Sequence, residues 1–123
     1  MTPARAAAIA AINDDFRRYG PLMGWTKFEG LWLVTSGVQM MGPQFTWQAL
    51  NTVFTYDDFT PNNDPYGEHD FGCFEVNGRE VFWKFDYLER GTPWAAEDPA
   101  DNMRTCRILA SCVRARSSQP PRG

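Results

Sequence analysis

Apolar residues near the start of the chain recur at helical spacing. Ile9, Ile12, Phe16 and Tyr19 are three, four and three apart, which predicts one buried stripe on a helix. Thr2 offers a capping hydroxyl, Pro3 fits the first helical position, and Gly20-Pro21 ends the run. Residues 20–30 read as loop. Leu31-Trp32-Leu33-Val34-Thr35, bounded by Gly30 and Gly37, predicts a short strand. Gly42-Pro43 opens a second helix to about Phe54, with Trp47, Leu50 and Phe54 on one face. Thr52, Val53 and Thr55 are β-branched and would suit a strand as well.

The period then changes to two. Phe71–Val76 and Arg79–Tyr87 are joined by Asn77-Gly78, the preferred two-residue hairpin turn. That turn places Val76 opposite Arg79, Phe74 opposite Val81 and Gly72 opposite Trp83. Phe74, Val76, Val81, Trp83, Phe85 and Tyr87 then share the core face. Cys73, Glu75, Glu80, Phe82 and Lys84 share the other, and one further step of pairing sets His69 opposite Asp86. Asp98-Pro99-Ala100-Asp101 is a helix start, and Cys106, Leu109 and Val113 follow at spacings of three and four. A final helix is therefore expected, with Arg104 and Arg107 along one side and Arg114 in its last turn. The order predicts an α+β fold over residues 1–116, a small antiparallel sheet of about three strands with a central hairpin, covered by three helices. Residues 117–123, Ser-Ser-Gln-Pro-Pro-Arg-Gly, read as a disordered tail.

A length of 123 residues is one domain's worth, and 43% hydrophobic against 22% charged residues is a folding composition. The net charge of −3 is a cancellation. Residues 57–101 hold twelve acidic and three basic side chains, near −9, whereas residues 102–123 hold five arginines and no acid. An acidic chain is not held on nucleic acid by bulk charge. Binding through Arg104, Arg107, Arg114 and Arg116 is the nucleic-acid alternative. No apolar run is long enough to span a membrane. The apolar start is broken by Asn13-Asp14-Asp15 and does not read as a signal peptide. Cys73, Cys106 and Cys112, an odd set without a C-x-x-C pair, read as reduced thiols of a cytoplasmic protein. Zinc spacings, a phosphate-binding loop, a nucleophile elbow and internal repeats are all missing.

Candidate chemistry gathers at 57–70, Asp-Asp-Phe-Thr-Pro-Asn-Asn-Asp-Pro-Tyr-Gly-Glu-His-Asp, which the prolines, asparagines and glycine make a series of turns. Asp64, Glu68 and Asp70 have the oxygen ligands a divalent cation needs, although the spacing matches no standard calcium loop. His69 could act as an acid–base group oriented by Asp86, with Glu68 in a separate duty, as in a small metal-dependent hydrolase. Against that stands the structural use, in which Asp and Asn side chains fix the loop through backbone N–H groups and the C-terminal arginines neutralise it. A fixed acidic loop can also be a recognition surface. Asp57, Asp58, Asp64, Tyr66 and Glu68, with Trp25, Trp94 and Phe82 as flanking aromatics, are the partner-binding candidates.

The run Asp57 to Gly72, with Phe74-Glu75-Val76, Phe82-Trp83-Lys84-Phe85-Asp86-Tyr87, Ala11-Ile12-Asn13-Asp14, Val34-Thr35-Ser36-Gly37-Val38 and Asp98-Pro99-Ala100-Asp101, resembles a family of short proteobacterial proteins classed as a domain of unknown function. The resemblance covers about residues 8–113. The aromatic 20–30 loop and the Ser-Cys-Val-Arg-Ala-Arg ending depart from the family pattern. It implies a cytoplasmic, non-housekeeping protein, often from plasmids and other mobile elements, and supplies no catalytic residues. The leading expectation is a non-enzymatic protein without cofactor that binds another protein, in the manner of a mobile-element accessory or counter-defence inhibitor.

Overall fold

In the computed structural model the chain runs α1 (Pro3–Tyr19), β1 (Glu29–Val34), α2 (Ser36–Gln39), α3 (Pro43–Thr55), β2 (Phe71–Val76), β3 (Arg79–Glu89) and β4 (Thr105–Val113). The structure describes residues 2–19 and 29–114, so Trp25, Arg116 and the 117–123 tail lie outside the described residues. The described strands form one four-stranded sheet in the order β1-β4-β3-β2. The β1–β4 pair is parallel and the other two are antiparallel. The fold is α+β as expected, with four strands in place of about three and a mixed rather than wholly antiparallel sheet.

The hairpin has the expected register, Val76 with Arg79, Phe74 with Val81 and Gly72 with Trp83. Asn77 (φ 50°) and Gly78 (φ 77°) both adopt the left-handed conformation that such a turn requires. Gly72 is needed for close packing rather than for a turn. A Cβ there would lie 2.3 Å from Nε1 of Trp83, the largest fully buried side chain. Gly30 serves β1 in the same way, since a Cβ would meet the Arg107 carbonyl oxygen at 2.1 Å.

The helices cover one face of the sheet. Phe16 of α1 packs edge-on to Phe85 at 5.6 Å, and Phe54 of α3 lies 5.0 Å from Trp32. Phe16, Val53, Tyr56, Trp83, Phe85 and Leu109 form one buried cluster, and Val38, Phe45, Ala49, Val76 and Val81 a second. The α1 stripe holds at Ile9, Ile12 and Phe16 but not at Tyr19, and the α3 stripe is rotated from its sequence reading. In α1 the buried residues are Ala6, Ile9, Ala10, Asn13, Phe16 and Arg17, while Tyr19 is exposed. In α3 they are Phe45, Ala49 and Val53, and Trp47 is 67% exposed.

The expected final helix is strand β4, and the one-turn α2 at 36–39 was not foreseen. Segment 98–104 is a series of turns in which Asp98 and Asp101 side chains accept from the N–H groups of Ala100 and Met103. Thr105, Arg107, Leu109 and Ser111 are buried at spacing two, so the three-four spacing of Cys106, Leu109 and Val113 was incidental. No helix of the described residues is long and apolar enough to cross a membrane.

Candidate functional site

The loop between α3 and β2 is held by its own short side chains. Asn63 Oδ1 accepts from the Thr60 N–H at 2.9 Å and Thr60 Oγ1 from the Asn63 N–H at 3.3 Å. Asn63 Nδ2 donates to the Asp58 carbonyl at 2.8 Å. Gly67, at φ 71°, makes the turn that follows, and Asp64 Oδ1 accepts from the His69 N–H at 3.2 Å. These are the reciprocal turn bonds that Asx and Thr side chains favour in irregular backbone.

His69 ties this loop to α1. Its φ of 54° is left-handed, so the chain leaves extended geometry two residues before β2. The expected pairing with Asp86 therefore does not form. Nδ1 of His69 lies 3.0 Å from both Asp14 oxygens, and since a carboxylate only accepts, Nδ1 carries the hydrogen. Nε2 faces Asp64 Oδ2 at 3.7 Å, and the ring stacks on Phe59 at 3.8 Å with a 2° interplanar angle. Asp86 sits on the opposite face of the sheet beside Lys84, 3.8 Å away.

Behind Asp14 stands Arg17, without solvent exposure. It donates to Asp14 Oδ1 (2.8 Å) and to the carbonyls of Val53 (2.9 Å) and Tyr56 (2.8 Å). Its guanidinium lies over the rings of Trp83 and Phe59, and burial lowers its pKa against the opposing pull of Asp14. One turn earlier Asn13 donates to the Glu68 carbonyl (3.1 Å) and to Tyr87 Oη (2.8 Å), while its Oδ1 accepts from Arg107 Nε (2.9 Å). Burial pushes the Tyr87 hydroxyl above its usual range. The loop, α3, α1 and β4 thus converge on three polar residues of one helix.

None of these three was a site candidate in the sequence. The available signal was their position, since Asn13 and Arg17 lie four and eight residues after Ile9, on the stripe that is buried.

Between the N-terminal turn of α1 and the loop lies a cleft of about 520 Å³. Pro3, Phe59, Pro61, Pro65 and Tyr66 supply apolar walls, and Asp64 and His69 supply polar groups. Asp57 and Asp58 are exposed nearby in sequence, and Tyr66 is 76% exposed. Asp64 and Glu68 are buried and Asp70 is half-buried. The conceived triad of His69, Glu68 and Asp86 does not assemble. Among the described residues, no three His, Cys, Asp or Glu side chains are grouped to hold a metal ion, Asp64, Glu68 and Asp70 included.

Among the described residues, the arginines near the C-terminus pair elsewhere than with the loop. Arg104 pairs with Glu89 (3.3 Å) and Glu97 (3.6 Å), Arg114 with Glu80, and Arg107 is buried. A solvated arginine stripe for nucleic acid is therefore not formed by these three. Cys73 lies on β2, an edge strand of the described sheet. Trp94 is 71% exposed beyond β3, and Phe82 points away from the helices beside Phe71, 6.2 Å between rings.

Burial first, then the Asp70 and Asp64 charges, raise the Glu68 pKa, and burial likewise raises that of Asp70. With the folded-state pKa above the unfolded one, the folded chain holds more protons between the two values. Stability then falls as pH rises through that window. Glu68→Gln is expected to raise the urea midpoint at about pH 7 and to match the parent at about pH 3, where both side chains are neutral. Equal midpoints at both pH values would show that the carboxylate carries no burial cost.

No curated protein and no solved structure matches the chain significantly. The family model described as protein of unknown function (DUF3768) matches residues 34–113, from the last residue of β1 through the acidic loop and hairpin to the end of β4, and the chain belongs to that family.

Proposed function

We propose that the protein is a non-enzymatic binding module that presents the 57–70 loop as a preformed acidic surface to a basic segment of another protein. The observation carrying this reading is the division of labour among the loop's acids. Asp64 is turned inward onto the His69 N–H and ring, whereas Asp57, Asp58 and Tyr66 face solvent. The segment 57–70 contains Asp57, Asp58, Asp64, Glu68 and Asp70 and no lysine or arginine, so its field attracts cations. The apolar cleft walls suit the aliphatic stem of a lysine or arginine. Both imidazole nitrogens of His69 face the chain's own carboxylates, which favours a locking role over acid–base work. An inhibitor that covers a basic, nucleic-acid-binding face of a partner would use such a surface, in keeping with an accessory role on a mobile element.

Fluorescence anisotropy with labelled peptides tests this. A peptide with an Arg-Lys run is expected to bind, with affinity falling as salt rises. Asp57→Asn with Asp58→Asn and Tyr66→Ala are expected to weaken it about tenfold. Equal binding of acidic and basic peptides, or binding of neither, would overturn the reading.

A further inference from the structure

The sheet face turned away from the helices is apolar through its middle. On β1, Leu31 and Leu33 are 46% and 49% exposed. The strand registers set two adjacent rows across the sheet. One runs Leu31–Ile108–Asp86 and the next Leu33–Ala110–Lys84. Lys84 and Asp86 are exposed and are the charges in these two rows.

We infer that this face binds a second copy of the chain, sheet against sheet, about a twofold axis that crosses β3 at Phe85 in the plane between the sheets. Such an axis exchanges the two rows. Asp86 then meets Lys84 of the copy, Leu31 meets Leu33, and the larger Ile108 meets the smaller Ala110. The same operation carries Phe82 toward Leu88 of the copy, because these residues lie three positions either side of Phe85. A groove of about 450 Å³ between Leu31, Leu88, Cys106 and Pro93 is present at that end to receive the ring. Complementary charge at the centre and complementary size on either side are what an isologous contact requires of one surface. The packing resembles that of β-sandwiches, with sheets about 10 Å apart and strands inclined by about 30°.

The same symmetry opposes Cys106 to Cys112 of the copy, since Cys106 pairs with Leu88 and Cys112 with Phe82 in the sheet. All three cysteines are free thiols. In a Cys73→Ser background, a bismaleimide spanning about 10 Å is expected to give a covalent dimer. Either Cys106→Ser or Cys112→Ser should abolish it, because like cysteines lie far apart across the axis. Sedimentation supplies a second reading. Lys84→Glu is expected to dissociate the dimer and Lys84→Glu with Asp86→Lys to restore it, both at exposed positions that leave the core untouched. A monomer at all concentrations, or cross-links that persist in single-cysteine variants, would overturn the inference. So would a monomer in which Phe71 and Phe82 take up single-stranded nucleic acid.

Discussion

Arg107→Ala is expected to lower the unfolding free energy by about 3–5 kcal/mol, the range for truncating a large buried side chain or stranding the partners of a buried charge. Arg107 has no solvent exposure at the centre of β4. Nε donates to Asn13 Oδ1 at 2.9 Å, Nη1 to Asn102 Oδ1 at 3.4 Å and Nη2 to the Pro99 carbonyl, and the guanidinium lies 5.3 Å from the Tyr87 ring centroid. These partners are dipoles rather than carboxylates. Burial accordingly brings the pKa down from its ordinary range to about 10. A base whose folded-state pKa is depressed binds fewer protons folded than unfolded between those values. Stability should therefore rise with pH across that window, and the full burial cost is present at neutral pH. Alanine would leave the Asn13 and Pro99 oxygens unpaired in the interior as well as a cavity. Arg107→Met removes the charge while keeping the apolar stem and Asn13's bonds to Glu68 and Tyr87, and is expected to recover part of the loss. Urea unfolding of the two variants checks both expectations. A loss below about 1 kcal/mol for Arg107→Ala would mean that water replaces the missing bonds.

His69→Asn is expected to cost about 2 kcal/mol, through a hydrogen bond to an ionised acceptor and the stack on Phe59, discounted for partial exposure of the ring. Asparagine tolerates the left-handed backbone at this position, so the variant removes the ring without adding strain. The effect should be local. Asp14 keeps its bond to Arg17, and Arg17 keeps the carbonyls of Val53 and Tyr56. The sheet and α1 should stay packed while the loop gains freedom. Urea unfolding gives the global cost, and a basic peptide's affinity should fall with it because the loop must then be ordered on binding.

The parts of the fold legible in the sequence are those where one physical signal dominates. Asn77-Gly78 admits one tight turn, and it sets the β2–β3 register residue by residue. β4 was misread because its inward face is carried by Thr105, Arg107 and Ser111, polar residues that erase the hydrophobic alternation of a strand. Its burial comes from the neighbours on either side, β1 and β3, which local periodicity does not contain. The buried face of α1 is wider than its apolar stripe for the same reason, since Asn13 and Arg17 occupy buried positions by hydrogen bonding rather than by hydrophobicity. At the site, the acidic loop and His69 were visible as an unusual composition. Their partner was not, because Asp14 is fifty-five residues away in sequence and meets His69 through the fold alone. Asp86 was the nearer guess, and it would hold only if extended pairing continued through a residue that is in fact left-handed.

The central claim is that the acidic loop is preformed in the free protein, locked by Asp14, His69 and Asp64. Amide hydrogen exchange across residues 57–70, followed in the parent chain and in His69→Asn, tests it most directly. The expected result is slowed exchange at the hydrogen-bonded amides of Asn63, Asp64, Gly67 and His69 in the parent, accelerated about tenfold or more in the variant. Exchange of those four amides at unstructured rates in the parent itself would contradict it, since no preformed surface would then exist for a partner to meet.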